Sequence, residues 1–212
     1  MRWLIAALVL LATQAGCFAA ETVALITGMQ GKVVRLDAAG QDILQPFEKL
    51  KVGDVVELQD NARLRLVFFS SRSEETWQGS GRLEIEARQA KGSKLPAPQI
   101  RILPEVIVRQ IAKTPGLATQ QPAGSVRLRS IAAADTVSRI EDEYARMRQE
   151  SAADDLNPEI FLLAGMFEAR QYDRVDTVLA QMTANHPGNF EVTVLKSLYR
   201  KAMQDAKPVS SK

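Results

Sequence analysis

Asn61-Ala62-Arg63-Leu64-Arg65-Leu66-Val67-Phe68 decides the fold of the first half of the chain. Leu64, Leu66 and Phe68 alternate with Arg63, Arg65 and Val67, the period of two that puts one set of side chains on each face of a strand. Upstream, residues 23–26 and 33–36 read as strands around a Gly28-Met29-Gln30-Gly31 turn, and Leu50, Val52, Val55, Val56 and Leu58 surround Gly53-Asp54. Residues 59–62 and 70–73 read as turns, Thr76-Trp77-Gln78 as a short strand and Gly79-Ser80-Gly81 as another turn. In residues 82–87, Leu83, Ile85 and Ala87 share one face while Arg82, Glu84 and Glu86 share the other. About six short strands over residues 21–95 predict an antiparallel all-β module, a sandwich or a barrel.

Beyond residue 130 the period changes to that of a helix. Val137, Ile140, Tyr144 and Met147 mark a first helix over residues 130–149. A second opens at Asn157-Pro158, a cap followed by Pro at the first helical position. It carries Ile160, Leu163, Ala164 and Phe167 at i, i+3, i+4 and i+7. The third, residues 173–185, presents Val175, Val178, Leu179 and Met182 and stops at His186-Pro187-Gly188. The fourth opens at Asn189 with Phe190, Val194, Leu195, Leu198 and Tyr199. The fold class expected is therefore α+β as two modules. Residues 21–95 are β, residues 131–206 are a helical bundle or repeat, and residues 207–212 are a polar tail.

Charge and proline separate the two. Residues 21–95 hold 11 basic and 11 acidic side chains, and residues 131–212 hold ten basic and 13 acidic. Residues 96–130 are net +4 and hold five of the nine prolines. They read as a connector in which residues 105–111 form a short extended piece. Its cations Arg101, Arg109, Lys113, Arg127 and Arg129 either solubilise a loop or dock on the acidic helical module. A whole-chain charge of only +2 favours no nucleic-acid partner.

Residues 1–20 read as an address. Arg2 precedes an uncharged apolar run, residues 4–12, and small residues follow. That run is too short to span a bilayer, which takes roughly 20 apolar residues. Cleavage is expected after Ala19 or Ala20, releasing the chain into a bacterial periplasm with no transmembrane segment. Gln14-Ala15-Gly16-Cys17 is similar to a lipobox, so a lipoprotein anchored through Cys17 is the alternative. Gln14 departs from the Leu which that pattern prefers.

A search for chemistry assigns no catalytic, metal or cofactor residue. One His and one Cys do not make a His/Cys metal cluster of three or four ligands. His186 has no recognisable nucleophile or orienting acid beside it. Glu141-Asp142-Glu143 and Asp154-Asp155 read as a solvated helix face and a helix-start pair, and no segment matches a calcium loop. Residues 28–31 precede a strand rather than a helix and are no phosphate loop. A non-enzymatic protein without cofactors is expected.

Two modules resemble known families. The order Gly31-Lys32-Val33, then Leu50-Lys51-Val52-Gly53-Asp54-Val55-Val56, then residues 61–68 and Gly81–Ile85 resembles the periplasmic FecR-like domain over residues 23–87. Ser70-Ser71-Arg72-Ser73 lacks the Asp and Gly that the family has in its turn. The resemblance implies an extracytoplasmic β-module for contact or sensing. The family's cytoplasmic anti-sigma segment and membrane helix have no counterpart here. Residues 157–189 resemble one tetratricopeptide unit of about 34 residues, with Tyr172 at the turn-closing position and Pro187 at the terminal one. One unit leaves apolar faces for its neighbours to cover. A groove on its first helix is expected, lined by Phe161, Leu162 and Met166 and rimmed by Glu159 and Arg170, unless Tyr144 and Met147 fill it from within the chain. The functional expectation is an adaptor or sensor for a periplasmic or envelope protein partner. The alternative is a peptidoglycan- or glycan-binding module using Phe69 and Trp77, residues whose first expectation is the core.

Overall fold

A computed structural model describes residues 21–38, 40–116 and 130–206, with the backbone alone for residues 130–134. Residues 1–20 with Cys17, expected as a leader, residues 117–129 of the connector, and the tail from residue 207 lie outside the described residues. Among the described residues seven strands form one antiparallel sheet: β1 (Thr22–Asp37), β2 (Gly40–Ile43), β3 (Lys49–Lys51), β4 (Val55–Phe68), β5 (Ser73–Ile85), β6 (Ala90–Ser93) and β7 (Gln99–Ile102). Their order is β2-β1-β4-β5-β6, with β3 added to β1 and β7 added to β5.

Three expected turns are bulges inside long strands. The β1–β4 ladder passes Gln30↔Arg63, shifts, and resumes at Lys32↔Gln59. The β4–β5 ladder passes Leu58↔Gly81, shifts, and resumes at Ala62↔Gly79. Gly31, Gly79, Asp60 and Asn61 hold the positive φ that such shifts need. Locally a glycine-rich bulge looks like a turn; only the ladders on both sides tell them apart. The bulges lie at one level, where a β-carbon on Gly31 would stand 3.0 Å from that of Ala62. Bulges bend strands. On one side of the bend β3 and β7 extend the sheet, and on the other β2 and β6 do. Val23, Ile26, Val33, Leu50, Val56, Leu64, Leu66, Phe68, Trp77 and Leu83 form a core that draws on both sides.

The alternation in β4 holds, yet its second face is dry at the Val67 end, while Arg63 at the other end is exposed. Leu64, Leu66 and Phe68 join the sheet core, while Val67, on the opposite face, packs with Leu103, Val108 and Phe69. Helices cover that end of the face. The first, α1 (Glu105–Ile111), follows Pro104 and replaces the expected extended piece. The β-branched run Val106-Ile107-Val108 suggested a strand, but Ile107, Val108 and Ile111 are buried together while Val106 is 52% exposed, a one-sided helical pattern. The connector thus contributes β7 and α1 to the fold.

Four helices follow: α2 (Ser130–Glu150), α3 (Asn157–Glu168), α4 (Tyr172–Asn185) and α5 (Phe190–Asp205). Their positions agree with the periodicity to within a residue or two. Gly165 lets α2 come close to α3, since a β-carbon there would stand 2.8 Å from Ile140 Cγ2. Phe167 packs on Tyr172 and on the fully buried Tyr199, ring centroids 5.7 and 5.6 Å away. Burial raises the Tyr199 hydroxyl above the ordinary phenol range. Asn189 caps α5 as expected, accepting the Val192 N–H at 3.0 Å. Asn157 is no cap: Leu156 precedes the helix, and the Asn157 side chain donates to Glu74 instead. Among the described residues no helix is long and apolar enough to cross a membrane.

Candidate functional site

The expected groove on α3 is closed. Phe161, Leu162 and Met166 are 2%, 7% and 1% exposed and sit in one cluster with Ile140 and Met147 of α2 and Val175, Leu179 and Met182 of α4. Glu159, expected on the rim, is buried as well. Its carboxylate accepts from Arg148 at 3.0 and 3.1 Å and from the Tyr144 hydroxyl at 3.3 Å. Of that set only Arg170 is exposed, in the α3–α4 turn with φ 57°. The physical reason is the composition of α3. Residues 160–164 and Met166 leave it no polar side, and a helix apolar all round is a central helix.

Trp77 offers no exposed platform for a sugar, and Phe69 is half-buried. Trp77 is 4% exposed, and its ring lies over Gly92, where a β-carbon would stand 2.5 Å from Cζ3. Its indole N–H donates to Glu75 Oε2 at 2.9 Å, and the Ala90 N–H donates to the same oxygen at 3.1 Å. Phe69 packs against Val67, Leu103 and Val108.

Among the described residues Glu75 has no cation in contact, and burial pushes its carboxyl above the usual range, outweighing the two hydrogen bonds. A carboxyl raised on folding stabilises the fold below its unfolded pKa, and that contribution is lost as pH rises toward its folded value. Glu75→Gln is therefore expected to raise the melting temperature at pH 7, with the gain shrinking as pH falls toward 4. Thermal scans across that range check it, and a gain that grows on acidification would contradict it.

A polar cluster joins the sheet to the helices. Arg101 of β7 donates to Glu74 Oε1 at 3.0 Å and to Asp155 Oδ2 at 2.8 Å, and Arg65 stands 3.6 Å from Asp155 Oδ1. Asp155 Oδ1 also accepts the Asn157 N–H at 3.0 Å. Glu74 and Asp155 are both 5% exposed. Two converging carboxylates of this kind would suit acid–base chemistry, but guanidinium groups occupy both, which makes them a clamp. Lys113 of the connector reaches Glu168 of α3 at 2.6 Å, whereas Arg109 pairs with Glu105 in its own helix. Two connector cations therefore dock on the helical module's acids. Arg127 and Arg129 lie outside the described residues. No group of three or more His, Cys, Asp or Glu among the described residues is placed to hold a metal.

An open groove runs between α4 and α5. It encloses about 670 Å³, with Tyr172, Leu179, Ala180 and Met203 along it. Asp173 and Asp176 of α4 form one rim and Lys196 and Arg200 of α5 the other. None of the four has an ion pair with a described residue. Sequence reading missed this site. Its signal was the spacing of Asp173 and Asp176 by three and of Lys196 and Arg200 by four, which puts like charges on one side of each helix. Compared with protein-family models, curated proteins and solved structures, the chain finds no match in any of them.

Proposed function

We propose that the protein is a non-enzymatic adaptor of the bacterial periplasm that holds a protein partner in the α4–α5 groove. In this reading the bent sheet is a FecR-like sandwich. Helices α3 and α4 are one tetratricopeptide-like unit, capped by α2 and α5. The leader-like residues 1–20 support export, and the ordered motifs of residues 31–85 support the β-module's likeness. The observation that carries the reading is the groove itself: an apolar floor between an acidic and a basic rim, with all four rim charges uncommitted. Burying one large apolar partner side chain there contributes roughly 1.5–3 kcal/mol. Rim charges of opposite sign then fix its orientation more than its affinity.

A photo-crosslinker at Ala180, in the full chain in its native compartment, should trap a discrete partner. The double reversal Asp176→Lys with Arg200→Glu should cut that crosslink by about tenfold or more while leaving the melting temperature within a few degrees. Crosslinking unchanged by the reversal would overturn the assignment of the groove.

A further inference from the structure

A second cavity lies away from this groove, at the end of the same sheet face as Val67 that the helices leave open. Asn61, Arg63, Thr76, Gln78 and Gln99 line it, with Pro96 and Ala97 as a wall, and it encloses about 460 Å³. The register places these side chains together: Arg63 is directly opposite Gln78, and Thr76 is opposite Gln99. None of the five side chains is hydrogen-bonded or ion-paired to another described residue. The wall is built in, since Leu95 and Pro96 close over Gly79, where a β-carbon would stand 3.1 Å from Leu95 Cδ2. The floor ends at Asp60 and Asn61, the only consecutive non-glycine residues with positive φ among the described residues. Such backbone persists where its surroundings hold it, and it concentrates at ligand sites. Here the Asn61 N–H donates to Ser80 Oγ at 2.9 Å.

We propose that this cavity binds an acidic oligosaccharide, with Arg63 taking a carboxylate and the amides and Thr76 taking hydroxyls. Each side-chain amide offers a donor and an acceptor together, as does each sugar hydroxyl. Arg63 is the one charged group in the lining and suits a carboxylate bidentately. The backbone of β4 at Arg63 is consumed on both sides by the ladders with β1 and β5, so a ligand lying over it is held by side chains and not by strand pairing with β4. A nucleic acid would need several cations and a stacking aromatic, and the lining holds one cation and no aromatic ring. Pro96 and Ala97 give the apolar surface for a sugar's C–H face.

Calorimetric titration of the full chain with oligogalacturonate, and with neutral chito-oligosaccharide as comparison, tests this. Saturable binding of the acidic probe is expected, weakened about tenfold or more by Arg63→Ala and weakened also by Gln99→Ala. Arg139→Ala, an exposed cation on α2, should leave it unchanged. Absence of saturable binding overturns the proposal, as does equal loss in the Arg63 and Arg139 variants. Equal affinity for the neutral probe overturns the acidic class. Arg63→Ala should leave the Ala180 crosslink intact, so failure here and failure of the adaptor reading are distinguishable.

Discussion

Leu25→Ala is expected to lower the unfolding free energy by about 2–5 kcal/mol, and to do so for strands and helices together. Leu25 is fully buried on β1, but unlike its neighbours Ala24 and Ile26 it does not belong to the sheet core. It clusters with Phe47, Ile107, Ile111 and the helical residues around Leu163 and Leu195. Truncation leaves a cavity at the seam between the two halves, which neither half can close alone. At this chain length a loss of 1 kcal/mol lowers the melting temperature by roughly 2–4 °C. Trp77 emission reports the sheet, and far-ultraviolet dichroism at the helical minimum reports the helices. Both should fall at one, lowered temperature. A shift seen by Trp77 alone would mean that the halves unfold independently.

Asp155→Ala is expected to destabilise the protein by about 3 kcal/mol. Three partners converge on that carboxylate: Arg101, Arg65 and the Asn157 N–H. Its removal strips the N–H at the start of α3, leaves Arg101 with Glu74 alone and takes the acid from Arg65. Arg101 is 46% exposed at its side chain, so water recovers part of the loss and the effect sits at the low end for a broken buried pair. Asp155→Asn, which keeps an acceptor for the Asn157 N–H, should cost clearly less. Urea titration of both variants measures this. Equal effects would show that the hydrogen bond contributes nothing beyond the ion pairs.

The periodicity of residues 61–68 placed Leu64, Leu66 and Phe68 on one buried face, and the spacing in α4 and α5 picked out Val175, Val178, Leu179, Val194 and Leu198 as buried. These positions were legible because a single amphipathic element carries its own pattern. The bulges at Gly31 and at Asp60–Asn61 were not, because a reversal and a continuation use the same residues. The closed face of α3 was legible in part. Phe161, Leu162 and Met166 were recognised as apolar, but which of them a neighbour covers depends on where α2 and α4 lie.

The sequence by itself determined an α+β chain with β first, the placement of the helices, and the alternation that builds the sheet core. Local spacing suffices for these, since they depend on contacts within one strand or one helical turn. Only the tertiary structure decided that Leu25 and Val67 face helices rather than water, and that residues 105–111 are a helix seated against Leu103 and the sheet. It also decided that Arg101 closes on Glu74 and Asp155, residues 27 and 54 positions away. Burial of a second sheet face and pairing of distant charges depend on what the rest of the chain brings alongside, and no window of neighbouring residues contains that.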